Sequence, residues 1–546
     1  MAAALTLPEP LCAFLIARGF RTEGDIRRYL RPALTDLHSP DGMLGMDRAV
    51  HRLAGAIRTG ETVFVHGDYD VDGMTSTAFL TRTIRALGGR AVPFVPHRVT
   101  DGYDLTDAGV RAAQRVGAGL VVTCDCGTSA RQPVAQLRAL GIDVIISDHH
   151  LPGGPLPDAL ALLNPRQPGC GYPDKDLAAA GVVFKLGLAL TRAMGADDAL
   201  VMSMLDLIAL ATIADVVPLR GENRILARHG LRQMATSQLP GVRAMVRAAG
   251  VEGKELTAGR VGFILAPRLN AAGRIGHAMR GVELLLSDDD SVALGIAREL
   301  EELNQRRQDQ DRAMLEAARG LLDRIDLDDT FGIVLANEAW HPGVIGIVAS
   351  RIVEETGRPT MMIAIDGEVG KGSGRSIPAF DLHAALRECS DLFLRFGGHR
   401  AAAGITIDRA RIPDFVARFN DVARQRLTPD DFAPEIRADL ELPLSAATDK
   451  LFRLLRHCEP HGMGNPAPVF IARGVRADAA PRRVGENGVR VRLTDDAVAI
   501  DAIAWDFARR IGSVDWMAPM DVAFRMERDD WNGRSRLQLR IADVRQ

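Results

Sequence analysis

The chain has 546 residues and a mass of 59.0 kDa, more than one hydrophobic core ordinarily serves, which predicts about three or four domains. Hydrophobic residues make up 47% and charged residues 25%; no apolar run is long enough to span a bilayer, and the opening stretch MAAALTLPEPLCAFLIARGF lacks the basic lead of a secretory signal. A net charge of -3 excludes a surface coated with basic residues but not a local anion groove, and six scattered cysteines, of which only Cys124 and Cys126 are close, predict free thiols in a reducing cytoplasm rather than a zinc site.

Residues 1–45 read as a helical lead-in: LCAFLIARGF and TEGDIRRYLRPAL have helical spacing, and Pro32 stops the second. A βα alternation follows over 46–235. ETVFV is a strand, and GMTSTAFLTRTIRALGG is a helix with Gly88 and Gly89 placed to end it. AVPFVP, GLVVTCD, IDVIISD and ALALLNP are further strands. Strands apolar on both faces and separated by helices imply a parallel sheet covered on both sides. From AGVVFKLGLALTRAM onward this unit reads as helix. A helical connector, 236–325, contains the long periodic segment SVALGIARELEELNQRRQDQDRAMLEAARGLLDRI. Over 326–430 the alternation restarts with FGIVLAN, the helix GVIGIVASRIVEETG and the strand PTMMIAI, followed by glycine-rich turns. Over 431–546, short strands and turns such as GENG predict a small antiparallel β-domain, a barrel in outline. The fold class expected is α/β: a parallel-sheet domain, a long connecting helix, a second α/β domain and a C-terminal β-barrel.

Acids recur at one structural address in the first α/β unit. The first strand runs into HGDYDVDG, with His66, Asp68, Asp70 and Asp72; the third ends in Asp125; the fourth ends in Asp148, His149 and His150. Carboxyl ends of strands in an open α/β sheet line one crevice, so these residues should converge. Asp215, in the apolar run LIALATIADVVPL, would be buried and needs a partner. Any one acid after a strand is most often a helix cap or turn residue, and Asp72 could simply cap the next helix. The conjunction points instead to a divalent-metal site: carboxylates suit magnesium or calcium, and added imidazole shifts the preference to manganese or another first-row metal. A shared aspartate such as Asp125 could bridge two ions about 3.5–4 Å apart, an arrangement that serves phosphoryl transfer.

HGDYDVDG, VVTCDCG, ISDHH and ATIADVVPL resemble the four motifs of the DHH phosphoesterase superfamily. APRLNAAGRI, WHPGVIGIVASRI, GKGSGRS and FGGHRAAAG resemble the RecJ family of single-stranded-DNA-specific exonucleases, including its DHHA1 lobe, and EPHGMGNPAPVF resembles the start of that family's OB-fold domain. The resemblance covers nearly the whole chain. It implies a 5′-to-3′ exonuclease that degrades single-stranded DNA to mononucleotides with two manganese or magnesium ions, in recombination and repair. It implies metal ligands drawn from Asp68, Asp70, Asp72, Asp125, His149, His150 and Asp215, with His66 added from superfamily relatives. Asp70, Asp125, His149 and His150 would be catalytic, one of the His pair contacting the scissile phosphate. It also implies a single-strand-binding protein and a helicase as partners. A monomer is expected.

In the second lobe, the backbone of GKGSGRS can approach a phosphate closely, with Lys371, Ser373 and Arg375 binding its oxygens. Gly397 and Gly398 serve a turn or a close approach, with His399 and Arg400 beside them. Arg268 and Arg274 flank Asn270 in a polar patch and are candidates for substrate contact or interdomain ion pairs. His341 precedes a helix N-terminus, a natural anion site, and Arg98 is placed to bind a 5′ end or to lie in a solvated loop. Phe470, Trp505 and Trp531 are the candidate stacking aromatics of the C-terminal domain, each as readily a core residue. The competing readings are a shorter-substrate DHH phosphoesterase (an oligoribonuclease or small phosphate-ester hydrolase), a two-domain pyrophosphatase, and a non-catalytic DNA-binding scaffold. Residues 435–546 argue against the first, the second would not need that extra domain, and the intact metal motifs argue against the last.

Overall fold

The computed structural model describes residues 2–98, 100–433, 435–505, 507, 513–529 and 535–546. Strands β1 (Thr62–Gly67), β2 (Arg90–Phe94), β3 (Leu120–Cys124), β4 (Asp143–Ser147) and β5 (Ala161–Leu163) form a parallel sheet in the order β2-β1-β3-β4-β5. Val63, Val65, Leu120 and Val122 face one apolar core; Phe64, Val121, Val144 and Ile146 face another. That two-sided burial is what continuous apolar strands require. The strand order reverses between β1 and β3, which puts the binding crevice at their carboxyl ends.

The helix Val71–Ala86 leaves β1 directly. Its N-cap is Asp70, whose carboxylate accepts the Gly73 N–H at 3.0 Å, so Asp70 and not Asp72 caps this helix. The connector contains one unbroken helix, Asp290–Leu322, of 33 residues. Against it pack the helices Pro240–Ala248, Ala266–Ile275 and Met279–Leu286.

The second sheet runs β6-β7-β8-β10-β9, built from β6 (Ile333–Asn337), β7 (Thr360–Asp366), β8 (Val369–Arg375), β9 (Phe393–Gly398) and β10 (Ala402–Asp408). Only the β6–β7 pair is parallel. GKGSGRS, expected as a turn, lies in the central strand β8. Its glycines sit where side chains of the flanking strands cross over it: a Cβ at Gly370 or Gly372 would overlap Ile363 or Ile405. Alternation then puts Lys371, Ser373 and Arg375 together on the opposite face.

The C-terminal sheet holds β11 (Leu440–Glu441), β12 (Phe470–Ala477), β13 (Arg482–Val484), β14 (Gly488–Thr494), β15 (Ala499–Ala504), β16 (Met520–Asp529) and β17 (Arg536–Arg545). It is mixed rather than antiparallel, because β11–β12 and β15–β17 run parallel. It curls, so that β12 pairs with β16 and, at Arg476 and Ala477, with β14. Phe470 is core, 1% exposed, whereas Trp505 is 43% exposed; Trp531 lies outside the described residues. The N-terminal helices Glu9–Ala17 and Glu23–Leu30 insert Leu11, Phe14, Leu15 and Ile26 into this sheet's core, so the two ends of the chain share one apolar cluster. Among the described residues, no helix is long and apolar enough to cross a membrane.

Candidate metal centre

Three strand ends and one helix end build the site. β1 delivers Asp68 and Asp70, β3 delivers Asp125, β4 delivers Asp148, His149 and His150, and the helix Leu205–Ala214 ends at Asp215. Asp125 turns out of β3 with φ 66°, a left-handed conformation that aspartate tolerates better than most residues and that concentrates at functional sites. Potential ligand atoms come within 4.8 Å of one another in three sets: Asp68, Asp70 and Asp125; Asp125, His149 and His150; Asp72, His149 and Asp215. Asp125 and His149 each belong to two sets, so the sets form a continuous row.

The buried lone pairs of this row are unspent. Asp68 Oδ1, Asp125 Oδ1 and both ring nitrogens of His149 are buried without a hydrogen-bond partner, an arrangement that native proteins avoid unless something else binds there. Burial, then the neighbouring acids, pushes the Asp125 and Asp215 carboxyls well above their ordinary range; burial and Asp70 do the same to Asp68. Crowded carboxylates of this kind are stabilised by cations. Carboxylate oxygens with neutral imidazole form a donor set that fits manganese or magnesium.

The two histidines are divided by their surroundings. Burial, then the charge of His150, lowers His149 to about 4, leaving it neutral and able to ligate. For His150, burial is outweighed by Asp148, whose Oδ1 lies 2.7 Å from His150 Nδ1, and the ring rises to about 9. The same contact, with the Thr128 N–H at 2.9 Å, overcomes burial and holds Asp148 below the usual carboxylate range. His150 Nε2 meets the Tyr103 hydroxyl at 3.1 Å. Both nitrogens are engaged and Asp148 favours the cationic ring, while the imidazole also lies within the set formed with Asp125 and His149.

Asp72 is the most committed acid of the row. It accepts the Ala179 and Ala180 N–H groups at 2.8 Å each, and the Ser76 hydroxyl at 3.2 Å. Burial and Asp70 still raise it to about 7. His66 is in none of the three sets. It is fully buried with Nε2 unpartnered, and Nδ1 lies 3.6 Å from Cys126 Sγ.

Across the crevice the charge reverses. Arg98 lies over the Tyr69 ring at 4.7 Å, and its field reaches Asp68 on one side and Arg274 and Arg375 on the other. Burial, then Arg98 and Arg375, lowers Arg274 to about 10; burial and Arg98 lower Arg375. Arg274 donates to the Gly343 carbonyl at 3.0 Å, and Arg375 to Ser373 Oγ at 3.2 Å. A Cβ at Gly273 would overlap the Tyr69 carbonyl, so only glycine lets this helix press against the Asp68–Asp70 turn. Asn270 is half-buried one helical turn before Arg274. Arg268, by contrast, is committed to Glu301 of the long helix and to the Ile264 carbonyl, a brace between helices. His341 accepts the Gly343 N–H at 3.1 Å within its own turn. Gly398 ends β9 at φ 140°; the exposed His399 follows, within the field of His150.

Sequence reasoning missed Tyr69, Tyr103 and the role of Asp148. Tyr69 is inside HGDYDVDG and Asp148 inside ISDHH, so both were visible as neighbours; Tyr103 carried no signal of its own.

Three family descriptions match: DHH family, N-terminal domain, over 62–212; DHHA1 domain, over 329–425; and RecJ OB domain, over 438–543. The chain is 37% identical to the single-stranded-DNA-specific exonuclease RecJ of Bacillus subtilis, over 98% of this chain and 68% of that one. It is 35% identical to the Escherichia coli protein of that name, over 98% and 96%. The crystal structure of RecJ from Thermus thermophilus in complex with Mn2+ superposes with a TM-score of 0.86 at 35% identity, covering 100% of this chain and 77% of that one. The Mg2+ complex gives 0.80 at 34% identity, covering 100% and 76%.

Proposed function

Because the chain belongs to the RecJ family of single-stranded-DNA-specific exonucleases, we propose that it degrades single-stranded DNA from the 5′ end to mononucleotides by metal-dependent phosphodiester hydrolysis. The observation that carries this reading is the row of three overlapping ligand sets facing three arginines across one crevice. Two divalent ions, manganese or magnesium, would be held by Asp68, Asp70, Asp72, Asp125, His149 and Asp215, and when bound they supply an activated water and charge stabilisation at the phosphate.

The chain's own residues do the rest. His150, kept cationic by Asp148, donates from beside the ligands to a non-bridging oxygen of the scissile phosphate. Arg98, Arg274 and Arg375 with Ser373 hold a terminal phosphate beyond the acids, which sets polarity by fixing where the strand stops. His399 and Gly398, and further off Asn270 and His341, line the approach, while Arg268 acts through the helix brace. A crevice between two lobes admits a single strand, and the C-terminal sheet extends the contact. Recombination and repair in the cytoplasm, a monomeric state, and help from a single-strand-binding protein and a helicase complete the reading.

The test is a nuclease assay with Mn2+ on strands labelled at either end, with and without a 5′ phosphate, beside the matching duplex. Mononucleotides released from the 5′ end of single strands only are the expected result. Activity confined to dinucleotides or small phosphate esters would keep the metal centre and discard the exonuclease.

A further inference from the structure

A cavity of about 1080 Å³ opens where the N-terminal helices, the start of the helix Gly221–Met234 and the C-terminal sheet meet. None of the metal-centre residues or crevice arginines lines it. Six arginines do, among them one from each part: Arg18, Arg224 and Arg525. Burial and then the charges of Arg18, Arg224 and Arg525 drive His461 down to about 4, so the fields of all three reach that imidazole.

Three of the six, Arg220, Arg224 and Arg525, stand in no ion pair among the described residues. Arg18 is paired with Asp439 at 2.8 Å. Arg224 is only 3% exposed, yet among the described residues it hydrogen-bonds nothing but main-chain carbonyls, those of Tyr29, His457, Cys458 and Pro460, and its Nε has no partner there. Arg220, also at the wall, donates among the described residues only to the Gly464 carbonyl, at 2.6 Å. Arg525 is exposed to the cavity and stands in no ion pair among the described residues. Of the acids at the wall, Asp439, Asp25 and Glu435 pair with the wall's own Arg18, Arg28 and Arg437, and Glu222 pairs with Lys185; Asp36 accepts the Ala33 N–H, so three unpaired arginines face one carboxylate without an ion pair among the described residues. A buried guanidinium with no anion is unfavourable, and like charges drawn from separate parts of the fold repel unless an anion sits among them.

The wall also offers a ring. Phe20 and Tyr29 lie with centroids 4.4 Å apart, and Arg224 covers Tyr29 at 4.2 Å. Phe20, half-exposed at the cavity, is the ring left to meet a planar ligand. The volume suits a small molecule, for which pockets run to about 300–1,000 Å³.

We propose that this junction cavity is a second site, distinct from the metal centre, that binds a mononucleotide: its phosphate lies among Arg220, Arg224 and Arg525, and its base against Phe20. The proposed reaction releases ligands of this class, and the choice of mononucleotide rests on that reading; the unbalanced cationic cavity does not. Occupancy is coupled to the metal centre through a short piece of chain. Asp215 is followed by Leu219, whose N–H donates to the Met463 carbonyl at 2.8 Å, and then by Arg220. A ligand bridging Arg220 and Arg525 ties the C-terminal sheet to the segment that carries Asp215.

The test uses the full chain carrying Asp125→Asn, without divalent ions, so that the metal centre neither turns over nor holds phosphate through a cation. Calorimetric titration with dAMP is expected to show one saturable site, with inorganic phosphate binding more weakly. Arg525→Ala and Arg220→Ala, both at exposed positions, are each expected to weaken dAMP by about tenfold, the loss of one charge-assisted contact, at an unchanged melting temperature. No saturable dAMP binding, or binding indifferent to both substitutions, overturns the proposal. So does a loss of affinity for a long single strand without any dAMP site, which makes the cavity part of the polymer's path. A parallel nuclease assay on the unsubstituted chain separates the two readings: dAMP binding in a chain with no exonuclease activity keeps this site and discards the proposed reaction.

Discussion

His149 Nε2 lies 3.3 Å from Asp125 Oδ1, and neither atom has a hydrogen-bond partner. With His149 held towards its neutral form by burial, this is less an ion pair than two potential ligand atoms brought together and left unsatisfied. Both residues belong to two ligand sets, whereas Asp68 belongs to one. Asp125→Ala is therefore expected to remove both bound ions and lower kcat by about 10³-fold or more, as loss of a central group does, with single-strand affinity largely kept. Asp68→Ala is expected to cost metal affinity but leave one ion bound. Manganese titration of both variants, beside gel-shift binding, checks this. Equal metal stoichiometry in the two would mean that Asp125 is not shared.

Metal binding is expected to strengthen as pH rises. The Asp68, Asp125 and Asp215 carboxyls are pushed up, largely by burial. A carboxyl raised on folding contributes stability that is present below its unfolded value, about 3.9, and lost as pH climbs through the raised one. The metal-free protein thus loses stability on deprotonation, and a cation restores it. The rise in Tm on adding Mn2+ is expected to be larger at about pH 8 than at about pH 6. A Tm increment that shrinks over that range would show that the acids are already ionised without metal.

Asp148 is expected to tune His150: it contacts that ring at 2.7 Å and is in none of the three ligand sets. The pair has opposite signs of shift: His150 raised to about 9, Asp148 lowered. The histidine's contribution is complete below its unfolded value, about 6.5, and is lost as pH rises through about 9; the aspartate's is complete above about 3.9 and fails on acidification. Asp148→Asn is expected to lower activity by about 10–100-fold, the usual effect of removing such a partner, and to move the alkaline limb of the pH–rate profile down towards about 6.5. Loss of activity with an unmoved limb would make Asp148 merely structural.

The parallel sheet and its acid-bearing strand ends were legible because apolar runs and terminal acids are local patterns. That Asp68, Asp70, Asp125 and His149 come together was legible from their places at strand ends, without their distances. The division between His149 and His150 could not: identical side chains one residue apart take opposite charge states through burial and one contact with Asp148. GKGSGRS was misread as a turn because its glycines answer to Ile363 and Ile405 in neighbouring strands, a fact absent from the segment itself. Arg268 gave no sign of Glu301, thirty-three residues away. The lead-in's home in the C-terminal core was equally hidden, since helical spacing says which face is buried but not against what.

The three crevice arginines are expected to recognise the strand's end rather than its length. Among the described residues Arg375 makes no ion pair; its partners are Ser373 Oγ and the Gly374 carbonyl. Arg375→Ala is expected to raise KM about tenfold or more for strands with a 5′ phosphate, the loss of a charge-assisted contact, and to change KM little for 5′-hydroxyl strands. Arg375→Lys is expected to recover only part, because a point charge cannot reproduce the fork. An equal effect on both kinds of end would place Arg375 along the strand instead.

Removing the C-terminal unit alone is expected to fail as a dissection of function. Leu11, Phe14 and Leu15 are fully buried against the core that contains Phe470 and Phe524. A chain cut after residue 430 would leave these side chains in water, at about 1.5–3 kcal/mol each, as a contiguous apolar patch that favours association. A chain restricted to 46–430 removes both halves of that core together. It also removes Tyr29 and Cys458, whose carbonyls Arg224 now bonds, and returns that guanidinium to solvent. The shorter chain is expected to remain monomeric in light scattering and to cleave with near-intact kcat but weaker affinity for long strands, while the chain cut only after 430 aggregates. Monodisperse behaviour of the latter would mean that the N-terminal helices dock elsewhere when their partner is absent.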